Sequence, residues 1–246
     1  MTSIHRTRIK ICGLTREQDV DAAAAAGADA VGFVLYDKSA RYVSPARATE
    51  LARQLPPFVT PVLLFVNAPA TTVRAACADI AGAVVQFHGD ETPQQCLDAT
   101  EQAARPFLRA ARIPPGAAGG QFDLLKYARD YAAAQAILLD AQVEGYGGAG
   151  QTFDWSLLPP RINAHLVLSG GLNAANVTHG IMQVRPRCWS LAVDVSSGVE
   201  VSGSGNQGIK DPEKIRRFIA AVRAADKELE YIEGRTAAHG AKTVHD

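Results

Sequence analysis

A thiol and a carboxyl group each stand at the end of a short apolar run, where they could exchange protons with a small molecule. Cys12 closes the stretch "RIKIC", and Asp140 closes "AILLD". A carboxyl that follows four apolar residues is partly desolvated, which favours its protonated form, whereas a thiol becomes a base once it ionises. Each also has a purely structural interpretation, because a free cysteine packs as a small hydrophobe and an aspartate caps a following helix.

Two turns of small residues follow later apolar runs. "LSGGL" contains Gly170 and Gly171, and "DVSSGVE" contains Ser196 and Ser197 with Asp194 at its start. The backbone N–H groups and hydroxyls of such turns bind anions, although a single Gly-Gly pair is usually only a turn. If the two turns lie side by side, they predict a phosphate site.

Two further polar residues belong to loops that follow apolar runs. Arg41 lies in "KSARYVS", where its guanidinium could bind a carboxylate through two hydrogen bonds or simply be a solvated surface group. His88 lies in "QFHGDE", where it either lines the same pocket or makes a local hydrogen bond.

The elements that must position these groups are eight short apolar runs separated by stretches of helical period. The runs are residues 9–12, 30–35, 61–66, 83–87, 106–110, 137–140, 166–169 and 190–195. Eight such units predict a single α/β domain, a (β/α)8 TIM barrel, whose active site is built from the loops at the carboxyl ends of the strands. A doubly wound sheet is the alternative, but the first run is not followed by the GxGxxG signature of that fold.

Capping residues support the helical segments between the runs. A first helix is expected over Arg16 to Ala26, ending at Gly27. Capping boxes are predicted at Thr15–Gln18 and Thr92–Gln95, and proline at the first helical position is predicted after Ser44 and Asp211.

Composition excludes several classes of protein. Lys+Arg and Asp+Glu both total 25 in 246 residues, so no charge excess favours nucleic acid or a membrane surface. No apolar run approaches a membrane span or a secretory signal, which predicts a cytoplasmic protein. The four cysteines form no CxxC pair, so we expect reduced thiols and no metal site. We expect a monomer rather than a homodimer.

The domain boundary is placed where the apolar period is lost. Residues 1–225 are expected to form the barrel, and residues 226–246 a flexible polar C-terminal tail. The glycine-rich stretch from Gly145 to Trp155 is interpreted as a lid or a surface loop, with its aromatic end docked on the protein.

Several of these stretches together resemble the phosphoribosylanthranilate isomerase family of tryptophan biosynthesis. They are, in order, "KICGLT", "DAVGFV", "SARYVS", "VVQFHGDE", "LLDA", "GGAGQTFDW", "LSGGLNAANV" and "VDVSSGVE...GIKDPEKI", and they run from about Arg8 to Val222. The resemblance implies a ketol isomerase that converts N-(5-phosphoribosyl)anthranilate to 1-(2-carboxyphenylamino)-1-deoxy-D-ribulose 5-phosphate. This Amadori rearrangement uses general acid and base groups and no cofactor.

The resemblance also implies a role for each matching residue. Cys12 would be the general base and Asp140 the general acid, so Asp140 would carry a proton at rest. The role of Cys12 calls for a thiol pKa below the ordinary value of about 8.5. Arg41 would bind the anthranilate carboxylate. The substrate-binding residues at the phosphate would be Gly170, Gly171, Ser196 and Ser197, with Asp194 beside them and His88 elsewhere in the pocket.

Two other functions fit parts of the pattern. A phosphosugar isomerase of histidine biosynthesis would share the barrel, but it typically uses a pair of aspartates where this chain has Cys12 on the first strand. A barrel that only binds a phosphorylated metabolite or a protein is also possible in principle, since a fold does not fix a function. Such a protein would be expected to lack Cys12 or Asp140, and both are present.

Overall fold

The computed structural model describes residues 6–142, 152–203 and 205–242, which form a closed barrel of eight parallel strands. Each strand pairs with its neighbours in sequence, and β8 closes the ring against β1. The strands are β1 (Arg8–Cys12), β2 (Ala30–Val34), β3 (Thr60–Phe65), β4 (Val84–Phe87), β5 (Phe107–Ile113), β6 (Ala136–Ala141), β7 (His165–Leu168) and β8 (Ser190–Val195). All eight predicted strands are confirmed.

Helices follow the strands and cover the outside of the ring. They are α1 (Glu17–Ala26), α2 (Pro45–Ala52), α3 (Ala70–Ala78), α4 (Pro93–Ala99), α5 (Leu124–Asp130), α6 (Val177–Val184) and α7 (Pro212–Lys242). Short 3-10 turns lie at Gly116–Gln121, Trp155–Leu157, Arg185–Arg187 and Ser197–Val199. None of the helices within the described residues has the length and hydropathy needed to cross a membrane.

Side chains alternate between two cores along each strand, as the period of two requires. The larger core lies between strands and helices and includes Ile9, Ile11 and Phe33. A smaller aliphatic core fills the barrel interior with residues that share one inward face: Val62, Val84, Leu108, Ala110, Ala136, Leu138 and Val167. Side chains two residues further along these inward faces therefore point toward the carboxyl ends of the strands.

The helix starts agree with the sequence except at α1. Ser44 accepts a hydrogen bond from the Arg47 N–H, and Thr92 forms the predicted capping box with Gln95. The box predicted at Thr15 is wrong, because α1 has Arg16 at its N-cap position and no side-chain cap. The Thr15 hydroxyl instead donates to the Gly208 carbonyl oxygen at 3.0 Å, which ties the β1–α1 loop to the segment before α7.

The last helix continues past the predicted domain boundary. α7 runs unbroken from Pro212 to Lys242, and the buried Asp226 accepts hydrogen bonds from the Thr7 backbone at 2.9 Å and hydroxyl at 2.6 Å. Leu229 is also buried against the barrel. The first residues of the predicted tail are therefore docked, whereas the flexibility of its remainder stays a prediction.

Part of the glycine-rich loop lies outside the described residues. The lid interpretation falls mainly on residues 145–151, which lie outside the described residues. The aromatic end of the loop is docked as expected, since Phe153 and Trp155 are both buried in the outer core.

Candidate functional site

Cys12 ends β1 on the inward face of the barrel. Its thiol packs with Val34, Leu64 and Val66 in a small cluster near the carboxyl ends of the strands. Gly32, its register partner on β2, makes room for it, because a Cβ at that position would lie 2.7 Å from the Cys12 sulfur. The residue is thus buried as a core cysteine would be, yet it stands at the end where active sites of this fold are built.

Burial raises the pKa of the Cys12 thiol above its ordinary value. The Lys10 and Lys210 ammonium groups oppose this rise, and the Asp194 carboxylate adds to it. The expectation of a lowered pKa is therefore wrong for the protein without substrate. The physical reason is desolvation, which the resemblance of short motifs does not reveal.

Lys10 and Asp194 form a buried ion pair directly below Cys12. They are register partners on β1 and β8, and their side chains meet at 2.8 Å between the ammonium nitrogen and Oδ1. Ser169 donates to the other Asp194 oxygen at 3.3 Å. Asp194 thus sits deeper in the barrel than a loop residue at a phosphate would, held between β1 and the end of β7.

Asp140 ends β6 and is held by a chain of buried polar groups from β4. Its Oδ2 lies 2.8 Å from Nε2 of His88, and Nδ1 of His88 lies 3.0 Å from Nε2 of Gln86. Because the Gln86 amide nitrogen can only donate, Nδ1 of His88 accepts this hydrogen bond. The proton of a neutral His88 is therefore on Nε2 and is donated to Asp140. The structure therefore brings His88 into contact with Asp140, the carboxyl group at the end of another strand.

Gly170 packs against the other side of the Asp140 carboxyl group. Its φ is +78°, and a Cβ there would lie 2.7 Å from the Ala141 nitrogen and 2.8 Å from Oδ1 of Asp140. A side chain at this position would collide with both atoms. The glycine turn after β7 and the carboxyl of β6 are thus parts of one site.

The turns after β7 and β8 touch each other, as a shared anion site requires. A Cβ on Gly198 would overlap the Leu172 carbonyl oxygen. Gly171 has a φ of +62°, and its carbonyl oxygen accepts a hydrogen bond from Asn176 at 3.0 Å. Ser197 opens the 3-10 turn that follows β8, and Ser196 immediately precedes it.

Arg41 makes a bidentate ion pair within the protein. Its Nε and Nη2 donate to the two carboxylate oxygens of Glu200 at 2.7 and 2.9 Å. The buried Lys210 ammonium also contacts Glu200 at 3.0 Å, and it donates to the Ser196 carbonyl oxygen at 3.1 Å. Arg41 and Lys210 lower the pKa of Glu200 to about 2 against the opposing effect of burial, while burial lowers the pKa of Lys210.

Gly13 lets Arg41 and Ser196 lie close to the end of β1. It has a φ of +75°, and a Cβ there would lie 2.5 Å from the Arg41 side chain and 3.1 Å from the Ser196 hydroxyl. Glycine is required directly after Cys12, because only glycine leaves space for two neighbours in a left-handed conformation. Arg41, Ser196 and Cys12 are brought to the same end of the barrel.

A second buried network braces the loop that follows β4. Arg109 of β5 donates to the Phe87 carbonyl oxygen at 3.1 Å and the Gly89 carbonyl oxygen at 3.0 Å, on either side of His88. It also pairs with Glu91 at 3.2 Å. The backbone around His88 is therefore fixed by a cation rather than by loop packing alone.

Sequence reasoning missed the residues that support the site from within: Lys10, Gln86, Arg109, Glu200 and Lys210. One signal was available for the first two, because Lys10 and Gln86 lie two residues before Cys12 and His88 and so share their inward faces. The other three act through partners distant in sequence. Among the described residues, no group of His, Cys, Asp and Glu is arranged to hold a metal ion.

Comparison with known proteins points to one family. The family model described as N-(5'phosphoribosyl)anthranilate (PRA) isomerase matches residues 9–221. The chain is 62% identical over 224 residues to N-(5'-phosphoribosyl)anthranilate isomerase of Methylibium petroleiphilum, covering 91% of this chain and 97% of that protein.

Solved structures agree with the family model. The phosphoribosyl anthranilate isomerase of Thermotoga maritima is 38% identical with a TM-score of 0.73, covering 89% of this chain and 99% of that chain. A phosphoribosyl anthranilate isomerase in complex with reduced 1-(o-carboxyphenylamino)-1-deoxyribulose 5-phosphate is 37% identical with a TM-score of 0.71, with the same coverage.

Proposed function

The chain belongs to the N-(5'-phosphoribosyl)anthranilate isomerase family, and on that premise we propose how its own residues carry out the reaction. It is an isomerase of tryptophan biosynthesis that converts N-(5-phosphoribosyl)anthranilate to 1-(2-carboxyphenylamino)-1-deoxy-D-ribulose 5-phosphate. The observation that carries the proposal is the placement of a thiol and a carboxyl inside one barrel, at the carboxyl ends of β1 and β6, beside two turns in contact.

Asp140 opens the ribose ring. It donates its proton to the ring oxygen, the bond between that oxygen and C1 breaks, and the anthranilate nitrogen forms an iminium with C1. His88 holds Oδ2, so the proton that is transferred belongs on Oδ1, the oxygen next to Gly170. Gln86 fixes the histidine in the orientation that this division of the two oxygens needs.

Cys12 then removes the proton from C2. The electrons of the C2–H bond form a double bond to C1 and neutralise the iminium, which leaves an enolamine. Transfer of this proton from Cys12 to C1, and of the C2 hydroxyl proton to the Asp140 carboxylate, gives the ketone product and restores both groups. Because burial keeps Cys12 a thiol at neutral pH, it must lose its proton before it acts, and the positive iminium next to it favours that ionisation.

The anionic groups of the substrate are bound at the two ends of the sugar. The phosphate is bound by the turns that contain Gly170, Gly171, Ser196 and Ser197, supported by the nearby Lys210 ammonium. Arg41 binds the anthranilate carboxylate through Nη1. Glu200 occupies its other two nitrogens and is itself neutralised by Lys210, so the guanidinium keeps its charge for the substrate.

Asp194 has a different place in this proposal from the one implied by the resemblance. Its two oxygens are used by Lys10 and Ser169. Its support of the substrate is therefore indirect, through the strand end that carries Ser196.

A cytoplasmic location and a monomeric state remain predictions. Cell fractionation tests the first and light scattering the second.

The direct test is turnover by the purified protein. Incubation with N-(5-phosphoribosyl)anthranilate should yield a product of unchanged mass with an open keto sugar. A folded sample that gives no conversion would overturn the proposal.

A further inference from the structure

We propose that Lys10 is the positioning residue that stabilises the Cys12 thiolate, and that Asp194 holds the Lys10 ammonium in place for this purpose. The inference rests on the proposed role of Cys12 as the base. It assigns a function to a buried ion pair whose two members exchange no proton with the substrate in the proposed mechanism.

Strand geometry places Lys10 next to Cys12. The two residues are i and i+2 on β1 and share its inward face. A Cβ on Gly32 would lie 2.7 Å from the Cys12 sulfur and 3.0 Å from the Lys10 nitrogen. One missing side chain on β2 thus provides the space in which the ammonium group and the sulfur meet.

Burial makes the charge on Lys10 effective. Lys10 is 4% exposed and Asp194 5% exposed, so water screens neither group well. The carboxylate at 2.8 Å raises the pKa of Lys10 above its ordinary value, and Cys12 contributes to that rise, against the effect of burial. The pair with Asp194 therefore favours the ammonium form of Lys10.

Other charged groups face Cys12 from three elements. Asp194 of β8 disfavours the thiolate, while Lys210, before α7, favours it. Arg41 of the β2–α2 loop also interacts with it. Lys210 is committed to Glu200 and to the Ser196 carbonyl oxygen. Lys10 is the cation whose ammonium group shares the space over Gly32 with the sulfur, and it favours the thiolate.

The experiment compares Lys10→Met with the double variant Lys10→Met/Asp194→Asn. The single variant leaves a buried carboxylate without its partner and is at risk of unfolding, whereas the double variant removes both charges. Each is prepared with Cys12 and with Cys12→Ser. The difference in ultraviolet thiolate absorbance within each pair, followed against pH, isolates Cys12 from the other three cysteines. Lys227→Met, on the exposed face of α7, is the matched control.

The expected order of titration midpoints is wild type lowest, the double variant intermediate and Lys10→Met highest. A rise of one pH unit makes the thiolate about tenfold scarcer below the midpoint. The rising limb of kcat/KM against pH, which reports the groups of the free enzyme, should move by the same amount in each variant. Lys227→Met should titrate as the wild type does.

The two possible failures are distinguishable. A Cys12 midpoint that does not move in either Lys10 variant would overturn the inference about Lys10, even if Cys12→Ser abolishes turnover. A midpoint that moves while the pH profile of kcat/KM stays fixed would overturn Cys12 as the base, and the proposed mechanism with it.

Discussion

The two ends of the barrel are built from the same strands and have opposite chemistry. At the carboxyl end, buried charges meet in pairs, such as Arg41 with Glu200 and Lys210 with Glu200. At the amino end, a cavity of about 800 Å³ is bordered by aliphatic side chains of the inner core, by the buried Lys10 and by exposed groups on its rim. Trp189 on that rim is 60% exposed.

This difference separates activity from stability. The loops after the strands carry polar groups that approach one another only because the ring is closed, so a change there alters the chemistry. The inner aliphatic core near the other end contributes mainly the free energy of burial. We therefore expect matched substitutions at the two ends to change different measured quantities.

The largest effect is expected from the two catalytic groups. Cys12→Ser and Asp140→Asn should each lower kcat by at least about 10²-fold, because each removes a proton transfer. Val84→Ala, in the inner core, should cost on the order of 2 kcal/mol of unfolding free energy and leave kcat unchanged. Steady-state kinetics and chemical denaturation of all three check this, and a normal kcat in either catalytic variant would remove that assignment.

Two glycines give the next comparison. Gly170 and Gly82 have φ of +78° and +71°, but a Cβ at Gly82 would meet nothing within 4 Å. Alanine at Gly82, before β4, should cost only the backbone strain of about 1–2 kcal/mol. Gly170→Ala should add a collision with Asp140 and lower kcat roughly tenfold, less than Asp140→Asn does, because the proton donor is displaced and not removed. Equal kcat in the two variants would contradict the contact between Gly170 and Asp140.

Glu200, at the carboxyl end of the barrel, makes the stability of the protein depend on pH. Its pKa of about 2 in the folded protein lies below the ordinary 4.5. The contribution of Glu200 to the free energy of unfolding is therefore present above about pH 4.5 and is lost as the pH falls toward 2. The shift corresponds to at most roughly 3 kcal/mol.

Glu200→Gln should therefore be less stable than the wild type at pH 6, and the difference should shrink on acidification through that window. Since Arg41 loses its anchor, KM should rise more than kcat falls. Urea denaturation between about pH 6 and pH 2.5, with kinetics at neutral pH, measures both. A stability difference that stays constant with pH would show that the Glu200 carboxylate is not held as described.

The smallest effect tests whether position at the carboxyl end is enough to affect catalysis. Thr92 caps α4 and points away from the barrel interior, accepting from the Gln95 N–H. Thr92→Ala should cost about 1 kcal/mol of unfolding free energy, as loss of a capping hydroxyl does, with kcat and KM unchanged. Thermal unfolding and steady-state kinetics check this, and a fall in kcat would mean that the loop of His88 depends on the cap.

The sequence predicts the fold more completely than the site. Eight apolar runs, with capping residues between them, predict the closed ring of strands. A polar residue at the end of a run identifies Cys12 and Asp140 as candidate site residues, since both signals are local. The pairs Lys10–Asp194 and Arg41–Glu200 join residues 184 and 159 positions apart, so local periodicity cannot reveal them. The sequence also does not reveal that burial raises the pKa of Cys12, because this rise depends on how completely distant elements exclude water.

The helical course of α7 shows a different limit. Its residues beyond Asp226 lose the apolar period, yet the helix continues to Lys242. Asp226 accepts two hydrogen bonds from Thr7, and a buried polar contact of this kind docks a helix without the hydrophobic stripe that sequence patterns detect.

The division of labour between Asp140 and Cys12 is tested most directly with substrate deuterated at ribose C2. In Asp140→Asn, ring opening limits the residual turnover, so the account predicts almost no isotope effect on kcat. In Cys12→Ser, proton removal from C2 is limiting, so it predicts a large primary isotope effect. The opposite pattern, or the same isotope effect in both variants, would contradict the assignment of acid to Asp140 and base to Cys12.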